Sequence, residues 1–392
     1  MKFVNETVFN LNNNENTLAV YIDFTKAFDS VNHKILSLKL EHYGIRGNPL
    51  NLLKSYLTNR YQFVAIDNKN SSSALIVSGV PQGSVLGPLL FNIFINDITN
   101  TTTISKFIIF ADDCTLLSKS PDMSNLTMIT ENSLKQIDIW TGFNKIYINF
   151  KKTKFMIFTY KSNLITDNIN IKFNDFNIAR VENFKLLGIY IDSRLKFNFH
   201  IGQIISKINI YSSIAKRIKK FLNKITLKIL YYSMFYSHFF YCNLIWGCAN
   251  KSEIDKLFNA QKKIVKSLFS SNFHNNAPID NIFNNNNLLS IFEINSFKSC
   301  LFIFKILNNI SITNDEHLNQ ICQYSVKSSK FYSTRVFDNY LINTTVAKNK
   351  LSERNFCYYG PLYWNRIPIF LKSLNNYYQF KKQLKTFYNC YS

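Results

Sequence analysis

Paired cysteines are missing from this chain. Seven cysteines in 392 residues, at positions 114, 242, 248, 300, 322, 357 and 390, form no CxxC, and their number is odd. That excludes a disulfide framework and a zinc ribbon, and it points to a reducing compartment. His238, Cys242 and Cys248 lie close together, but the second ligand pair of a structural zinc site is absent. A clean membrane-length apolar run is also missing. The one approach to it, Ile229 to Trp246, is interrupted by Ser233, Ser237, His238 and Asn243, and reads as a buried helix with no membrane role. The opening MKFVNETVFNLNNNENT is polar and does not read as a secretory signal. There is no internal repeat.

Acidic residues are scarce. Asp plus Glu number 24 against 46 Lys plus Arg, a formal charge of +22. A polyanion is the natural partner, nucleic acid first and an anionic membrane surface second. Lys shares AT-rich codons with the abundant Asn, Ile, Phe and Tyr, so charge alone does not establish that partner. Hydrophobic residues make up 46%, enough for a sizeable core, and the length suits two or three domains.

Up to about Lys196 the pattern is mixed α/β. Ala19 to Ile22 is a strand ending at Asp23. Val31 to Tyr43 reads as a helix stopped by Gly44, and Asn48-Pro49 opens another. Tyr61 to Ile66 and Ala74 to Ser78 read as strands around a polar loop. A Gly/Pro-rich loop then feeds an apolar helix, residues 79 to 98. Ile104 to Phe110 and Cys114 to Ser118 are strands flanking Ala111-Asp112-Asp113, and Ser124 is the expected cap of a helix running to about Asn144. Strands are expected over Lys154 to Tyr160, Ile169 to Phe173, Phe176 to Val181 (turning at Asn174-Asp175) and Phe184 to Asp192. Beyond Lys196 the pattern turns helical. Gln203 to Leu222 places Ile204, Ile208, Ile214, Ile218 and Phe221 inward and Lys216, Lys219 and Lys220 outward. Glu253 to Phe269 repeats the scheme, and the Asn-rich 270–287 reads as a linker.

Asp112 and Asp113 are the most telling residues. Adjacent carboxylates at a tight strand-strand junction repel each other and resist desolvation. A divalent cation removes that penalty, and Asp23 repeats the logic at another strand end. Hard cations held by these oxygens would lower the pKa of an attacking hydroxyl and stabilise a leaving pyrophosphate. Taken alone, an Asp-Asp pair is more often a solvated turn.

Three segments, YIDFTKAFDSVNH (21–33), GVPQGSVLGPLLFNIFINDI (79–98) and FADDCTLL (110–117), resemble motifs A, B and C of reverse transcriptases, in the family's order and spacing. The wording PQGSVLGPLLF resembles the jockey-like branch of non-LTR (LINE-type) retrotransposons. INFKKTKFMIF (148–158) is similar to motif D and FKLLGIYID (184–192) to the primer grip. LFNAQKKIVKSLF (257–269) and GPLYWNRIP (360–368) are similar to segments that follow the polymerase core.

The resemblance implies an α/β (α+β) polymerase palm with an antiparallel sheet over residues 1–195. A helical thumb follows over 196–270 and a mostly helical C-terminal region over 271–392. It implies RNA-directed DNA synthesis from an RNA template and DNA primer with deoxynucleoside triphosphates, two Mg²⁺ ions (Mn²⁺ as the alternative), no membrane, and a place in the nucleus or cytoplasm. Asp23 and Asp112 match the metal ligands, with Asp113 adjacent and supporting. Phe28 matches the residue that excludes a ribose 2′-OH, Gln82 and Gly83 the loop against the nascent base pair, and Lys152 the lysine that protonates pyrophosphate. Lys151 and Lys154 stand close by as alternatives. A basic thumb would hold an A-form duplex through its backbone. Motif C carries Phe110 where Tyr is frequent. Family members hold the triphosphate with an upstream fingers subdomain, and only 22 residues precede Asp23. The expectation is therefore a chain that binds primer-template but extends it poorly, with a catalytically inactive nucleic-acid-binding remnant as the alternative.

Overall fold

The computed structural model describes residues 1–159, 169–269, 278–310, 318, 341–342 and 352–391. The expected end of a strand at Tyr160, residues 270–277 of the expected linker and most of 311–351 lie outside the described residues. The chain divides into two compact units, one formed by Asn14–Glu182 and the other by Met1–Asn13 with Asn183–Ser392.

In chain order the elements begin with α1 (Lys2–Asn12), β1 (Asn16–Ile22), α2 (His33–His42) and α3 (Gly47–Leu57). The short strands β2 (Tyr61–Gln62), β3 (Ala65–Ile66), β4 (Lys69–Asn70) and β5 (Ala74–Leu75) come next, then α4 (Leu86–Ile95). The unit is completed by β6 (Lys106–Phe110), β7 (Asp113–Ser120), α5 (Met123–Asn144), β8 (Lys154–Phe158), β9 (Ile171–Phe173) and β10 (Phe176–Arg180).

A six-stranded sheet, ordered β6-β7-β1-β8-β10-β9, organises the first unit. All its pairings are antiparallel except β8 with β10. β1 lies between β7 and β8, and all seven of its residues are buried. This explains why a strand without apolar/polar alternation sits at the centre of the sheet. Leu18, Val20, Ile22, Leu116, Phe155 and Ile157 share one core with Phe91 and Phe94 of α4 and Leu134 and Ile137 of α5. Lys39 reaches into this unit to pair with Asp97 at 2.7 Å and lies over the rings of Phe94 and Trp140, so its ammonium is both desolvated and compensated.

Several expectations need correction. Asp122, not Ser124, caps α5: its extended backbone and carboxylate meet the amide of Asn125, while the Ser124 hydroxyl bonds to the same carboxylate. The segment Tyr61 to Ser78 breaks into two small hairpins, β2 with β5 and β3 with β4, because Asp67 and Asn68 both adopt left-handed turns. The polar opening hides an amphipathic helix, α1, that buries Phe3, Val4, Val8 and Leu11.

The second unit, to which α1 belongs, resumes with a hairpin where one strand was expected: β11 (Asn183–Leu186) pairs with β12 (Ile189–Asp192). Leu187 and Gly188 both have positive φ, so the turn is the mirror-image kind whose twist suits a two-residue hairpin. Helices follow: α6 (Asn198–Ile218), α7 (Lys224–Tyr231), α8 (Ser237–Phe240), α9 (Asn243–Trp246), α10 (Lys251–Phe269), α11 (Ile279–Asn285), α12 (Ile291–Leu307), α13 (Phe356–Arg366), α14 (Ile369–Lys372) and α15 (Tyr377–Tyr391). The run from Ile229 to Trp246 is not one helix. A π-helical turn at Tyr232–Tyr236 and a left-handed Cys242 divide it. Among the described residues no helix is long and apolar enough to cross a membrane. The expected inward stripe of α6 is half right: Ile204 and Ile208 are buried, but Ile214 and the following Phe221 are exposed. Lys219 is no free surface charge either, since its ammonium donates to the carbonyl of Ser267 at the end of α10. Part of the expected linker is helix α11.

His200 of α6 is buried beside Trp246, and the backbone N–H of Tyr190 donates to its Nδ1. Burial, and then the charge of Lys207, push its pKa from 6.5 down to about 4. Unfolding restores the ordinary value, so on acidification the unfolded chain takes up the proton first. The stabilisation is complete above the unfolded value and is lost as pH falls toward the folded one, by up to about 3 kcal/mol. Thermal melts at pH 7 and pH 5 should show a drop in melting temperature that shrinks in His200→Gln.

Candidate active site

β1 and β7 place the carboxylates. Their register ends with Ile22 opposite Cys114, so Asp23 and Asp113 stand at adjoining strand ends. Phe110 pairs with Asp113 across a two-residue turn, Ala111-Asp112, in which Ala111 is left-handed with φ 52°. Asp112 thus sits at the tip of the β6–β7 hairpin, exposed, while Asp23 is half-buried. Burial, and then the negative charges of Asp112 and Asp23, hold the Asp113 carboxyl above its usual range. Asp113 therefore feels the charges of both other carboxylates. Among the described residues, no three His, Cys, Asp or Glu side chains already close around a point as a metal-binding group. The donors are all carboxylate oxygens, a set that suits a hard divalent cation, whose charge would reverse the repulsion felt at Asp113.

Asp23 is anchored from the other side by the turn before β8. Its backbone N–H donates to the Thr153 hydroxyl at 3.3 Å, and its carbonyl accepts from the Asn149 N–H at 2.7 Å. The Thr25 N–H donates to the Tyr147 carbonyl, and Phe24 bridges Ile148. Lys152 belongs to this turn, with its N–H on the carbonyl of Asn149, and its side chain is exposed, as is that of Lys151. Lys154 is different: it lies in β8 opposite Tyr21 and is half-buried.

Phe28 is half-buried, with one face stacked on Phe91 of α4 at 4.5 Å between ring centroids. It sits in a turn laced to the 78–83 loop by five hydrogen bonds. The Val80 N–H donates to the Phe28 carbonyl and the Gly79 N–H to the Val31 carbonyl. The Ser78 hydroxyl donates to the Asp29 carbonyl, the Gln82 amide to the Asp29 carboxylate at 3.0 Å, and His33 Nε2 pairs with the Gly79 carbonyl at 2.8 Å. Gly79, at φ 92°, lies so near Asp29 that a Cβ would stand 2.8 Å from its Cα. Gly83 is left-handed with open space around it. The chain from Asp23 to His33 and the chain from Ser78 to Gly83 are thus one knitted platform. Asn149, Thr153 and Asp29 were not singled out from the sequence. The only signals they offered were membership of motif-like stretches and the ordinary turn preference of Asn and Asp.

Residues 3–191 match the family described as reverse transcriptase (RNA-dependent DNA polymerase). They belong to the reverse transcriptase family. Among curated proteins, the RNA-directed DNA polymerase from mobile element jockey of Drosophila melanogaster is 28% identical over 280 residues, which is 68% of this chain and 30% of that protein. The probable RNA-directed DNA polymerase from transposon X-element of the same fly is 28% identical over 63% of this chain and 28% of its own length. That part of the chain is thus similar to the polymerases of non-LTR, jockey-like elements, and the chain spans under a third of the length of these relatives. Among solved structures, a telomerase from Candida albicans aligns with 65% of this chain and 48% of its own at 14% identity and a TM-score of 0.36. Divalent metals are the usual cofactors of this family.

Proposed function

We propose that this reverse transcriptase makes DNA on an RNA template by two-metal nucleotidyl transfer, with the sheet unit as its palm. The observation that carries this reading is the meeting of β1 and β7, which sets Asp23 beside Asp113 and makes Asp113 feel the charges of both partners. Asp23 and Asp112 would hold two Mg²⁺ ions, and Asp113 would support them. The metal ions supply activation of the primer 3′-hydroxyl and stabilisation of pyrophosphate. Gln82 and Gly83 lie against the nascent base pair, with Gln82 aimed by Asp29. Lys152, on the turn that anchors Asp23, delivers a proton to the leaving pyrophosphate.

Phe28 is the sugar gate. One face rests on Phe91, so the ring is braced and cannot retreat from a ribose 2′-OH. Phe28→Val should raise ribonucleotide incorporation by roughly tenfold or more, since a steric clash of a few kcal/mol is removed. Single-nucleotide competition between dTTP and UTP measures it, and unchanged selectivity removes Phe28 from this role.

The helices over 196–270 act as a thumb on the primer-template duplex, with Lys216, Arg217 and Lys220 exposed. Such contacts release counterions from phosphate, so duplex affinity should fall steeply with salt and vary little with sequence. Filter binding at several salt concentrations checks this, and a flat response defeats it. Extension of oligo(dT) on poly(A) with Mg²⁺ tests the whole reading.

A further inference from the structure

A cavity of about 280 Å³ lies wholly within the second unit, where the β11–β12 hairpin meets α6. Lys185 and Tyr190, paired across the hairpin, line it from one side. His200, Gln203 and Lys207 line it from α6, where spacings of three and four put them on one helix face. His238 of α8 adds a second imidazole. The hairpin is tied down at two points: the Tyr190 N–H donates to His200 Nδ1, and the Tyr241 hydroxyl donates to the Leu187 carbonyl at 2.7 Å. Gly188 lies against the Tyr241 ring, so close that a Cβ would stand 3.3 Å from it. The cavity is therefore built by specific contacts.

His200 carries an orphan donor. A backbone N–H cannot accept, so Nδ1 is the acceptor of the Tyr190 bond, and the neutral ring keeps its proton on Nε2. His200 is only 6% exposed, and among the described residues Nε2 has no hydrogen-bond partner. A buried donor left so costs free energy that a bound acceptor would return. The charge around it is of one sign. After burial, the charge of Lys207 lowers the pKa of both His200 and His238, so its ammonium acts on both rings. Lys185 reaches over the Tyr190 ring, 5.9 Å from its centroid. No carboxylate lines the cavity, and among the described residues neither lysine forms an ion pair.

We propose that this cavity seats a small phosphate dianion, inorganic phosphate or a free phosphomonoester, held by Lys185, Lys207 and the His200 Nε2–H. Its volume falls just under the roughly 300 Å³ at which sites for larger organic ligands begin. It equals the share of roughly nine waters, which suits an ion with a small substituent. A terminal phosphate near pH 7 carries close to two charges and three acceptor oxygens, matching two ammoniums and one N–H. A strand-backbone diester offers one charge and two such oxygens, so the match is poorer. Both are phosphate, and the test separates the two sources. A bound dianion would staple the β11–β12 hairpin to α6 and so act as a stabilising effector of this unit. The seat needs neither metal nor template and stands apart from the polymerase reading.

Calorimetric titration of the full chain in EDTA, with inorganic phosphate and with dimethyl phosphate, reads the seat without metal. Inorganic phosphate should bind saturably and dimethyl phosphate about tenfold or more weaker, since it lacks the second charge. Lys185→Gln and Lys207→Gln should each weaken phosphate about tenfold, as loss of one charge-assisted contact implies. Both side chains are exposed, so neither change disturbs the core. Lys216→Gln, on α6 but outside the cavity, should leave phosphate binding as it was. His200→Phe removes the Nε2–H and should lose phosphate. His200→Gln restores an N–H donor and should recover part of the binding, which a merely structural role for the ring would not give. Phosphate should also raise the melting temperature of wild type and not of Lys207→Gln. Unchanged phosphate binding in both lysine variants overturns the seat, as does an equal loss in Lys216→Gln. Dimethyl phosphate binding as tightly as phosphate also overturns it. If Lys185→Gln and Lys207→Gln weaken an oligo(dT)–poly(A) duplex while phosphate binding is unchanged, the cavity belongs to strand backbone instead.

Discussion

Asp112→Asn should reduce primer extension by on the order of 10³-fold or more while leaving primer-template affinity nearly unchanged. The substitution keeps the size of the side chain at the tip of the β6–β7 hairpin and removes one of the anionic ligands proposed for the metal ions. The proposed duplex contacts are cationic side chains elsewhere in the chain, so duplex binding has no reason to follow. Asp23→Asn should behave alike, and a titration of extension rate against Mg²⁺ alongside filter binding separates the two quantities. The same change has a second, structural readout. The charge of Asp112 helps hold the Asp113 carboxyl above its usual range. A raised carboxyl pKa means that the folded state binds the proton more tightly than the unfolded one. It therefore loses stability as pH rises through that range. Removing Asp112's charge relieves this, so metal-free Asp112→Asn should melt slightly above wild type at neutral pH. Added Mg²⁺ should raise the melting temperature of wild type more than that of the variant. Full extension activity in Asp112→Asn sinks the catalytic assignment.

Gly79→Ala should destabilise the sheet unit by about 2–4 kcal/mol, combining left-handed strain with overpacking. At φ 92° the residue has no room for a Cβ, which would stand 2.8 Å from the Cα and 2.9 Å from the carbonyl oxygen of Asp29. Both contacts are backbone, so neither can swing away. Relief requires the two chains to part, and parting breaks the bonds from Gly79 to Val31 and from Val80 to Phe28. Gln82 then loses its partner Asp29, and nucleotide selection should suffer together with stability. Gly83→Ala is the control. It is also left-handed, at φ 79°, but nothing lies within 4 Å of its missing Cβ, so strain alone applies, about 1 kcal/mol. Denaturant melts of the pair decide the matter: equal losses would show that the lacing contributes nothing.

The carboxylates were legible because chemistry and order in the chain coincide there. Apolar strands ending in Asp23 and flanking Asp112-Asp113 announce a desolvated anionic site, and the three motifs occur in family order. The central strand, the hairpin turning at Asn174-Asp175, and the helices from His33 and near Pro49 followed from hydrophobic runs, turn residues and caps. The cap of α5 was a local choice between Asp122 and Ser124. Other differences turn on left-handed residues. Leu187 turns one expected strand into a hairpin, Cys242 breaks a helix, and Asp67 with Asn68 divides another strand pair. Neither Leu nor Cys signals a turn by its own preference, so tertiary packing imposes those backbones.

What the sequence determined by itself is the reverse transcriptase likeness of residues 3–191, the strand-end placement of Asp23, Asp112 and Asp113, the order of strands and helices through most of the first unit, and the basic character of the chain. These reside in local composition and in motifs whose residues lie within one stretch. The tertiary structure alone decided that Thr153 and Asn149 anchor Asp23, that Asp29 aims Gln82, and that Lys26 and Arg60 line one cleft. It also withdrew Lys219 from the charged face by tying it to the end of α10. The reason is physical: hydrogen bonds and charge interactions act over a few ångströms of space, and chain folding brings together residues tens to more than a hundred positions apart. No periodicity in the sequence encodes that meeting.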